Sequence, residues 1–143
     1  MNNSKCVSSL GVAVLFCAGL SACTSLPQTT RTAVIHDINI TEKLSNEGLV
    51  VHPGDEIRWV NLRKDNARID IPNLQAEDLA CQRGFSNWMG SLRETAELKP
   101  NSTASLCFKK PLIINYNVRA ETALGGGLLL LPGSVRIDNA MPR

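Results

Sequence analysis

The feature that most constrains the fold of this chain is a series of short segments in which apolar and polar residues alternate. Ile57 and Trp59, for example, share one parity, opposite Glu56 and Arg58. A period of two residues is typical of β-strands, because successive side chains of a strand point to opposite faces. About seven strands are predicted in this way: 32–41, 49–62 with a break at 53–55, 67–72, 102–108, 112–119, 128–131 and 134–138. Short strands separated by turn residues favour an all-β domain, a Greek-key β-sandwich.

Two stretches between the strands do not alternate. Residues 73–81 are predicted to form one short helix that begins at Asn73, with Glu77 and Asp78 early in the helix. Residues 84–99 are predicted to be irregular and to close one end of the sandwich with four apolar side chains: Trp88, Met89, Leu92 and Leu98.

The first residues of the chain have the character of a targeting segment. Lys5 supplies a short positive region, and the apolar stretch 6–20 is too short to span a bilayer comfortably. The tetrapeptide LSAC at 20–23 resembles the lipobox of bacterial lipoproteins. The resemblance implies that residues 1–22 are a signal peptide, which is removed by cleavage before Cys23.

The same resemblance implies a lipid anchor. Cys23 carries a diacylglycerol on its thiol in such proteins, because a thiol is the nucleophile that can be alkylated, and several acyl chains give stable anchoring. Residues 23–31 then form a lipidated tether, and the folded domain spans 32–143. Thr24, in place of an aspartate after the cysteine, favours the outer membrane. We therefore expect a lipoprotein of the bacterial cell envelope, anchored in the outer membrane and facing the periplasm.

The five cysteines of the chain have three different roles in this interpretation. Cys6 and Cys17 lie in the predicted signal peptide, and Cys23 is the predicted lipidation site. The remaining pair, Cys81 and Cys107, is predicted to form one disulfide, because the compartment is oxidising. Such a bridge is worth about 3–4 kcal/mol in the chain-entropy model. The cysteines do not resemble a zinc or iron–sulfur site, which needs more thiolates at close spacing.

Four stretches of the predicted domain resemble the cupredoxin family, whose fold is that of plastocyanin and azurin. Residues 51–61, VHPGDEIRWVN, resemble the family's PGD-x-V-x-W-x-N strand. Residues 98–108 resemble its L-x-P-x-x-x-A stretch and the following strand, and residues 111–118 resemble the strand that delivers the copper-binding cysteine. Residues 133–137, GSVRI, resemble the closing G-x-V-x-V strand. The resemblance implies a cupredoxin-like β-sandwich over roughly the whole predicted domain.

The residues that bind copper in that family are replaced in this chain. The family's first histidine falls on Ala67, its cysteine on Val118 and its second histidine on Glu121. No methionine lies between Leu124 and Pro132, where the family holds its axial ligand. A type 1 copper site needs two imidazoles and a thiolate in a trigonal arrangement. We therefore expect a domain that lacks the copper ligands and holds no cofactor.

A different copper site is the alternative interpretation. His36 and His52 are the only imidazoles of the chain, on the first strand and at the Pro-Gly-Asp turn, where both could lie near one sheet edge. With Met89 or Met141 they would make a weak, nonstandard site for copper binding or electron transfer. The competing interpretation is that both histidines are surface or hydrogen-bonded residues.

The stretch 123–133 stands where the family holds its second histidine and its methionine. Consecutive leucines in a strand point to both faces, so either both faces are covered or some leucines are exposed. Exposed leucines would form a partner site, whereas in the other interpretation a lengthened hairpin fills the space of the metal. The candidate partner loop comprises Leu124, Gly125, Gly126, Gly127, Leu128, Leu129, Leu130 and Leu131.

Charge and motifs exclude several classes of function. Fifteen Lys and Arg residues stand against thirteen Asp and Glu residues without a basic block, so we expect no nucleic-acid binding. Neither a nucleophile elbow nor a Cys–His context indicates an enzyme, and no small-molecule substrate is identifiable. We therefore predict a non-enzymatic binding or scaffold module, whose partners are the membrane, through Cys23, and a protein of the envelope.

Overall fold

The computed structural model describes residues 34–122 and 126–139. The predicted signal peptide and tether, with the lipidation site Cys23, lie outside the described residues, as do Leu124, Gly125 and Met141. Within the two described ranges, no helix has the length and apolar character needed to cross a membrane. The elements are β1 (Ile35–Ile40), β2 (Gly48–Val51), β3 (Glu56–Asn61), β4 (Ala67–Asp70), one 3-10 turn (Ala76–Asp78), β5 (Leu79–Arg83), β6 (Thr95–Leu98), β7 (Thr103–Phe108), β8 (Leu112–Glu121) and β9 (Leu128–Ile137).

The strands form two sheets with a hydrophobic core between them. Sheet A has the order β1-β3-β7-β5, and sheet B has the order β2-β9-β8-β4-β6. The pairings of β1 with β3 and of β2 with β9 are parallel, and the others are antiparallel. β8 and β9 pair over their whole length, from Leu112 opposite Ile137 to Glu121 opposite Leu128.

The Pro-Gly-Asp turn moves the chain from one sheet to the other. β2 ends at Val51 in sheet B, and β3 begins at Glu56 in sheet A. Gly54 permits the turn, because its φ of 90° lies in the left-handed region that favours glycine. Its N–H donates to the carbonyl of Phe108 at 2.8 Å, which attaches the turn to β7. The break predicted at 53–55 is therefore the crossing between the two sheets.

Three aromatic side chains fill the centre of the core. Trp59 from sheet A meets Tyr116 from sheet B edge to face, with ring centroids 5.4 Å apart. Phe85, in the connection from β5 to β6, also packs against Trp59, with ring centroids 5.7 Å apart. All three are almost completely buried, and edge-to-face pairs of this kind add about 0.5–1.5 kcal/mol beyond their buried area.

The all-β sandwich predicted from the sequence is confirmed, with nine strands within residues 34–122 and 126–139 where about seven were predicted. The predicted short helix is one 3-10 turn, Ala76–Asp78. Asn73 does not cap it, since Asn73 has a φ of 60° and Gln75 is the N-cap residue. The helix stops early because the following residues pair with β7, where Cys81 lies opposite Cys107. Sheet pairing thus overrides the local helical pattern.

The prediction that Trp88 and Met89 close an end of the sandwich is wrong. Their side chains are 92% and 66% exposed, whereas Leu98 is buried as part of β6. Phe85 supplies the apolar side chain that this connection contributes to the core. Of the two aromatic residues in this connection, Phe85 therefore enters the core and Trp88 does not.

The parallel strands β1 and β3 define two ends of the sandwich. The proximal end lies where the described chain begins at Val34, whose carbonyl accepts the N–H of Glu56 at 2.8 Å. The distal end lies where the two strands finish, at Ile40 and Asn61. β8 also finishes there, because the carbonyl of Glu121 accepts a hydrogen bond from the loop after β3.

Candidate functional site

The positions that match the copper ligands lie close together near the distal end. Ala67 and Val118, on the neighbouring strands β4 and β8, are 1% and 0% exposed and belong to the core. Glu121, at the end of β8, is exposed. Alanine and valine side chains offer no ligand atom, so these positions do not fit a type 1 copper ion.

A buried guanidinium holds the distal end together. The side chain of Arg63 is 3% exposed, and its Nη1 donates to the carbonyl of Thr41 at 3.0 Å and pairs with Glu42. Its Nη2 donates to the carbonyl of Glu121. The planar donors of arginine suit several fixed acceptors at once. Arg63 therefore connects the loop after β1 to the end of β8, across the two sheets.

Asn61 fixes the loop that carries Arg63. Its side-chain amide donates to the carbonyls of Asp65 at 2.8 Å and Leu98 at 3.0 Å, and its Oδ1 accepts the N–H of Arg63 at 3.0 Å. Asn61 is 0% exposed, so every one of these bonds replaces a lost contact with water. The asparagine of the PGD-x-V-x-W-x-N strand thus positions the arginine in this chain.

The two histidines meet at one carboxylate at the proximal end. His36 Nε2 lies 2.9 Å and His52 Nδ1 lies 3.6 Å from the same oxygen of Asp55. This oxygen also accepts the backbone N–H of His52 at 3.0 Å, and Asp55 is 3% exposed. The imidazole of His36 is therefore hydrogen-bonded to Asp55, and the imidazole of His52 lies beside the same carboxylate. In the part of the chain that the structure describes, no three His, Cys, Asp or Glu side chains are arranged to hold a metal ion.

The predicted disulfide between Cys81 and Cys107 is confirmed. The two residues lie opposite each other on β5 and β7 in sheet A, with Cα atoms 4.8 Å apart. Cys107 is 0% exposed. Because a cysteine binds a metal ion through its thiolate, neither of the two bridged sulfur atoms can serve as a cysteine ligand.

The leucines of the predicted partner loop alternate between core and solvent. Leu128 and Leu130 are 70% and 53% exposed, whereas Leu129 and Leu131 are half buried. Leu131 also packs against the core. Of the two interpretations of this stretch, the one in which some leucines are exposed therefore describes residues 128–131.

Two of the predicted loop glycines lead into β9. Gly126 has a φ of 86°, which favours glycine, and the carbonyl of Gly127 accepts the N–H of Thr122 at 2.8 Å. Leu128 follows at the rim of an open groove of about 310 Å³ on sheet B. The other residues of this groove are Asn66, Ala67, Arg68, Glu97, Arg119, Ala120 and Glu121.

A second exposed apolar feature is the turn between β5 and β6. The side-chain oxygen of Asn87 accepts the N–H groups of Met89 at 3.0 Å and Ser91 at 2.9 Å. These bonds hold the turn in a shape that leaves Trp88 and Met89 in the solvent. The signal that points to a turn is the cluster Ser86-Asn87 before, and Gly90-Ser91 after, the two apolar residues.

The described strands form an all-β sandwich of two sheets, and solved amicyanin structures are similar to it. Three amicyanin structures are among the solved structures similar to it. A mutant in the reduced state is 14% identical over 74% of this chain and 84% of that chain, with a TM-score of 0.47. A Cu(I) mutant is 19% identical over 73% and 82%, with a TM-score of 0.44. Amicyanin from Paracoccus versutus is 11% identical over 75% and 83%, with a TM-score of 0.43.

Identities and TM-scores at this level carry no information about copper binding or electron transfer. No protein-family model matches the chain, and no curated protein matches it.

Proposed function

We propose that this protein is a lipid-anchored, non-enzymatic binding or scaffold module of the bacterial cell envelope, attached to the outer membrane. The observation that carries the proposal is the pair of exposed leucines, Leu128 and Leu130, in the described part of the predicted partner loop. Large apolar side chains that are exposed next to one another mark protein-binding surfaces, whereas single exposed ones, such as Ile113, are common on any protein. The neighbouring positions Ala67 and Val118 offer no copper ligand, which favours binding of a protein over metal chemistry.

The course of the chain supports this use of the leucines. The segment between Cys23 and Val34 reaches at most roughly 36 Å when fully extended. It joins the sandwich at the proximal end, whereas Leu128 and Leu130 begin β9 at the distal end, opposite Glu121 and Arg119. An anchor on Cys23 therefore leaves the leucines free to meet a partner on the periplasmic side of the membrane.

Photo-crosslinking in intact envelopes tests the partner site. A benzophenone amino acid replaces Leu128, and a control replaces Ile113, which is 64% exposed on the same strand pair but near the proximal end. We expect a discrete crosslinked product from position 128 and none from position 113. Diffuse labelling of equal strength from both positions would contradict a binding site at the leucines.

The proposed anchor has its own test. The variant Cys23→Ser removes the only thiol that the lipobox can lipidate, so the protein should leave the membrane fraction. Cys81→Ser is the control, because its thiol belongs to the disulfide and its loss should not release the protein. If the Cys23→Ser variant sediments with membranes as the wild type does, the anchor lies elsewhere.

Copper handling is the second candidate function, and one observation favours it. The fold brings His36 and His52 to the same oxygen of Asp55, so the two imidazoles are neighbours, although these three side chains are not arranged to hold a metal ion in this conformation. Metal analysis of protein isolated from the periplasm, compared with the variant His36→Gln/His52→Gln, separates the two functions. Stoichiometric copper that is lost in the variant would favour copper handling, and copper-free wild-type protein would exclude it.

A further inference from the structure

One edge of β9 is without a neighbouring strand over half of its length. β8 pairs with all of β9, from Leu128 to Ile137. On the other side, β2 pairs only with the second half of β9, from Ser134 to Ile137. Among the described residues, no strand pairs with that side of β9 between Leu128 and Gly133. We call this segment, residues 128–133, the open edge.

The hydrogen bonds of the second half of β9 show which backbone groups face the open edge. Ser134 donates its N–H to the carbonyl of Glu47, and Asp138 donates its N–H to the carbonyl of Val51. The even-numbered residues of β9 therefore turn their backbone groups away from β8. By the same alternation, Leu128 and Leu130 present N–H and C=O groups to the open edge, while the odd-numbered residues bond to β8.

The open edge differs from the other sheet edges in its lack of protection. Edge strands are commonly guarded by charged side chains, because an unguarded edge pairs with other strands. β1, β5 and β6 each carry such a residue, namely Asp37, Arg83 and Glu97. β2 carries none, but it is only four residues long. The open edge has no charged residue, and the only residue in it that disfavours pairing is Pro132, near its far end, which has no N–H to donate.

We propose that the open edge pairs with the open edge of a second copy of this chain, antiparallel and about a two-fold axis. This inference rests on the proposed function, because it names the partner of the same surface. In the alignment centred on Leu129, Leu128 lies opposite Leu130 of the second copy, and each pair exchanges both N–H···O bonds. The four exposed leucines then form one cluster on the outer face, as cross-strand apolar pairs do.

The second copy is favoured over another occupant by symmetry and by charge. A two-fold interface needs a patch that is complementary to itself, and an uncharged, all-leucine edge meets this condition without like-charge contacts. The flanking residues on β8, Arg119 and Glu121, have opposite charges. When Leu130 lies opposite Leu128 of the second copy, Arg119 of the first copy and Glu121 of the second copy stand at the two ends of the same row across the joined sheets. Because a contact between two short strand segments is smaller than stable interfaces require, the pairing depends on the high local concentration that membrane anchoring provides. Both anchors reach the same membrane when the two-fold axis is perpendicular to it, so that the paired β9 strands lie along its surface.

Two proline substitutions, one on β9 and one on β2, test the pairing in intact envelopes. Two tagged forms of the full chain, both with a benzophenone amino acid at position 128, are produced together, and crosslinked product is captured through both tags. Leu130→Pro removes an N–H that bonds to no described residue, as Pro132 already does, so the monomer should fold and the two-tag product should fall at least tenfold. Val50→Pro, at an outward position of β2, is the matched control and should leave the product unchanged.

A second variant controls for the case in which the proline variant does not fold. Leu130→Lys keeps every backbone donor but places a charge from each copy in the pair, and it should reduce the two-tag product as the proline does. Resistance of the Cys81–Cys107 bridge to reductant without denaturant, as in the wild type, verifies that the domain is folded in both variants, because Cys107 is completely buried. A two-tag product that persists in both folded variants overturns the pairing. A crosslink from position 128 to a different envelope protein, with no two-tag product, overturns it too but leaves the proposed function standing; no crosslink of any kind overturns both.

Discussion

The substitution Gly133→Ala tests the packing between the two long strands of sheet B. Gly133 lies opposite Tyr116 in the β8–β9 pair, and the ring of Tyr116 lies over it. A Cβ at position 133 would fall within 3.0 Å of three atoms of that side chain, including Cε1 at 2.8 Å. The φ of Gly133 is not in the left-handed region, so the conflict is one of volume and not of backbone conformation.

The expected cost follows from what the ring must lose. Tyr116 is 1% exposed and packs edge to face with Trp59, so a ring that the new Cβ displaces loses part of that contact. Overpacking of a core costs about 1–3 kcal/mol, and loss of the aromatic pair adds about 0.5–1.5 kcal/mol. The lower entropy of an unfolded chain with alanine returns about 0.4–1 kcal/mol. We therefore expect the free energy of unfolding to fall by roughly 2–3 kcal/mol, which lowers Tm by about 10–20 °C.

Urea unfolding, followed by tryptophan fluorescence, measures this change. Gly48→Ala is the control, because Gly48 lies on the neighbouring strand β2 and a Cβ there meets nothing within 4 Å. In a Tyr116→Val background, which removes the ring, Gly133→Ala should be neutral or slightly stabilising. A loss below about 1 kcal/mol in the wild-type background, or an equal loss in both backgrounds, would refute the steric argument.

Three further predictions concern covalent, titratable and charged groups. Replacing Cys81 and Cys107 by alanine should lower the free energy of unfolding by about 3.5 kcal/mol, because the bridge closes a loop with a sequence separation of 26; an unchanged urea midpoint would contradict this. Burial raises the pKa of Tyr116, the only tyrosine, to about 12, so absorbance at 295 nm should show no ionisation near pH 10. Since the unfolded chain releases this proton near its ordinary pKa of about 10, stability is full below that pH and falls as the pH rises toward 12. Arg63→Met leaves the carbonyls that the guanidinium contacts without a donor and should lower the free energy of unfolding by about 3 kcal/mol, whereas Arg68→Met, at an exposed side chain, should change it by less than about 0.5 kcal/mol in the same urea titration.

The alternating strands could be predicted because their signal is local. Ile57 and Trp59 alternate with polar neighbours, and the structure buries both in the core, as the period of two requires. β5 could not be found in this way. In β5 the bridged Cys81 is half buried and Gln82 and Arg83 are exposed, so no apolar parity marks the strand. Its existence depends on pairing with β7, which lies more than twenty residues further along the chain.

One part of the candidate site could be predicted from the sequence, and another part could not. The loss of the copper ligands is visible in the sequence, since it needs only the residues at three positions, Ala67, Val118 and Glu121. The role of Arg63 is not visible there, because an arginine in a charged turn reads as a solvated residue. Only the approach of Thr41 and Glu121 from other parts of the chain converts it into a buried connection between sheets.

By itself, the sequence determined the all-β class and the absence of copper ligands at Ala67, Val118 and Glu121, because both depend on residue type and short-range order. The pairing of Cys81 with Cys107 was predicted from the cysteines that remain after the predicted signal peptide and lipidation site, and the fold brings the two together. The tertiary structure alone decided which leucines are exposed, which aromatic residue enters the core and which half of β9 has an open edge. These properties depend on where β2 ends relative to β9 and on which groups the folded chain brings alongside. The exposure of a side chain and the pairing of a strand depend on segments that are distant in the sequence, so a local sequence pattern does not predict them.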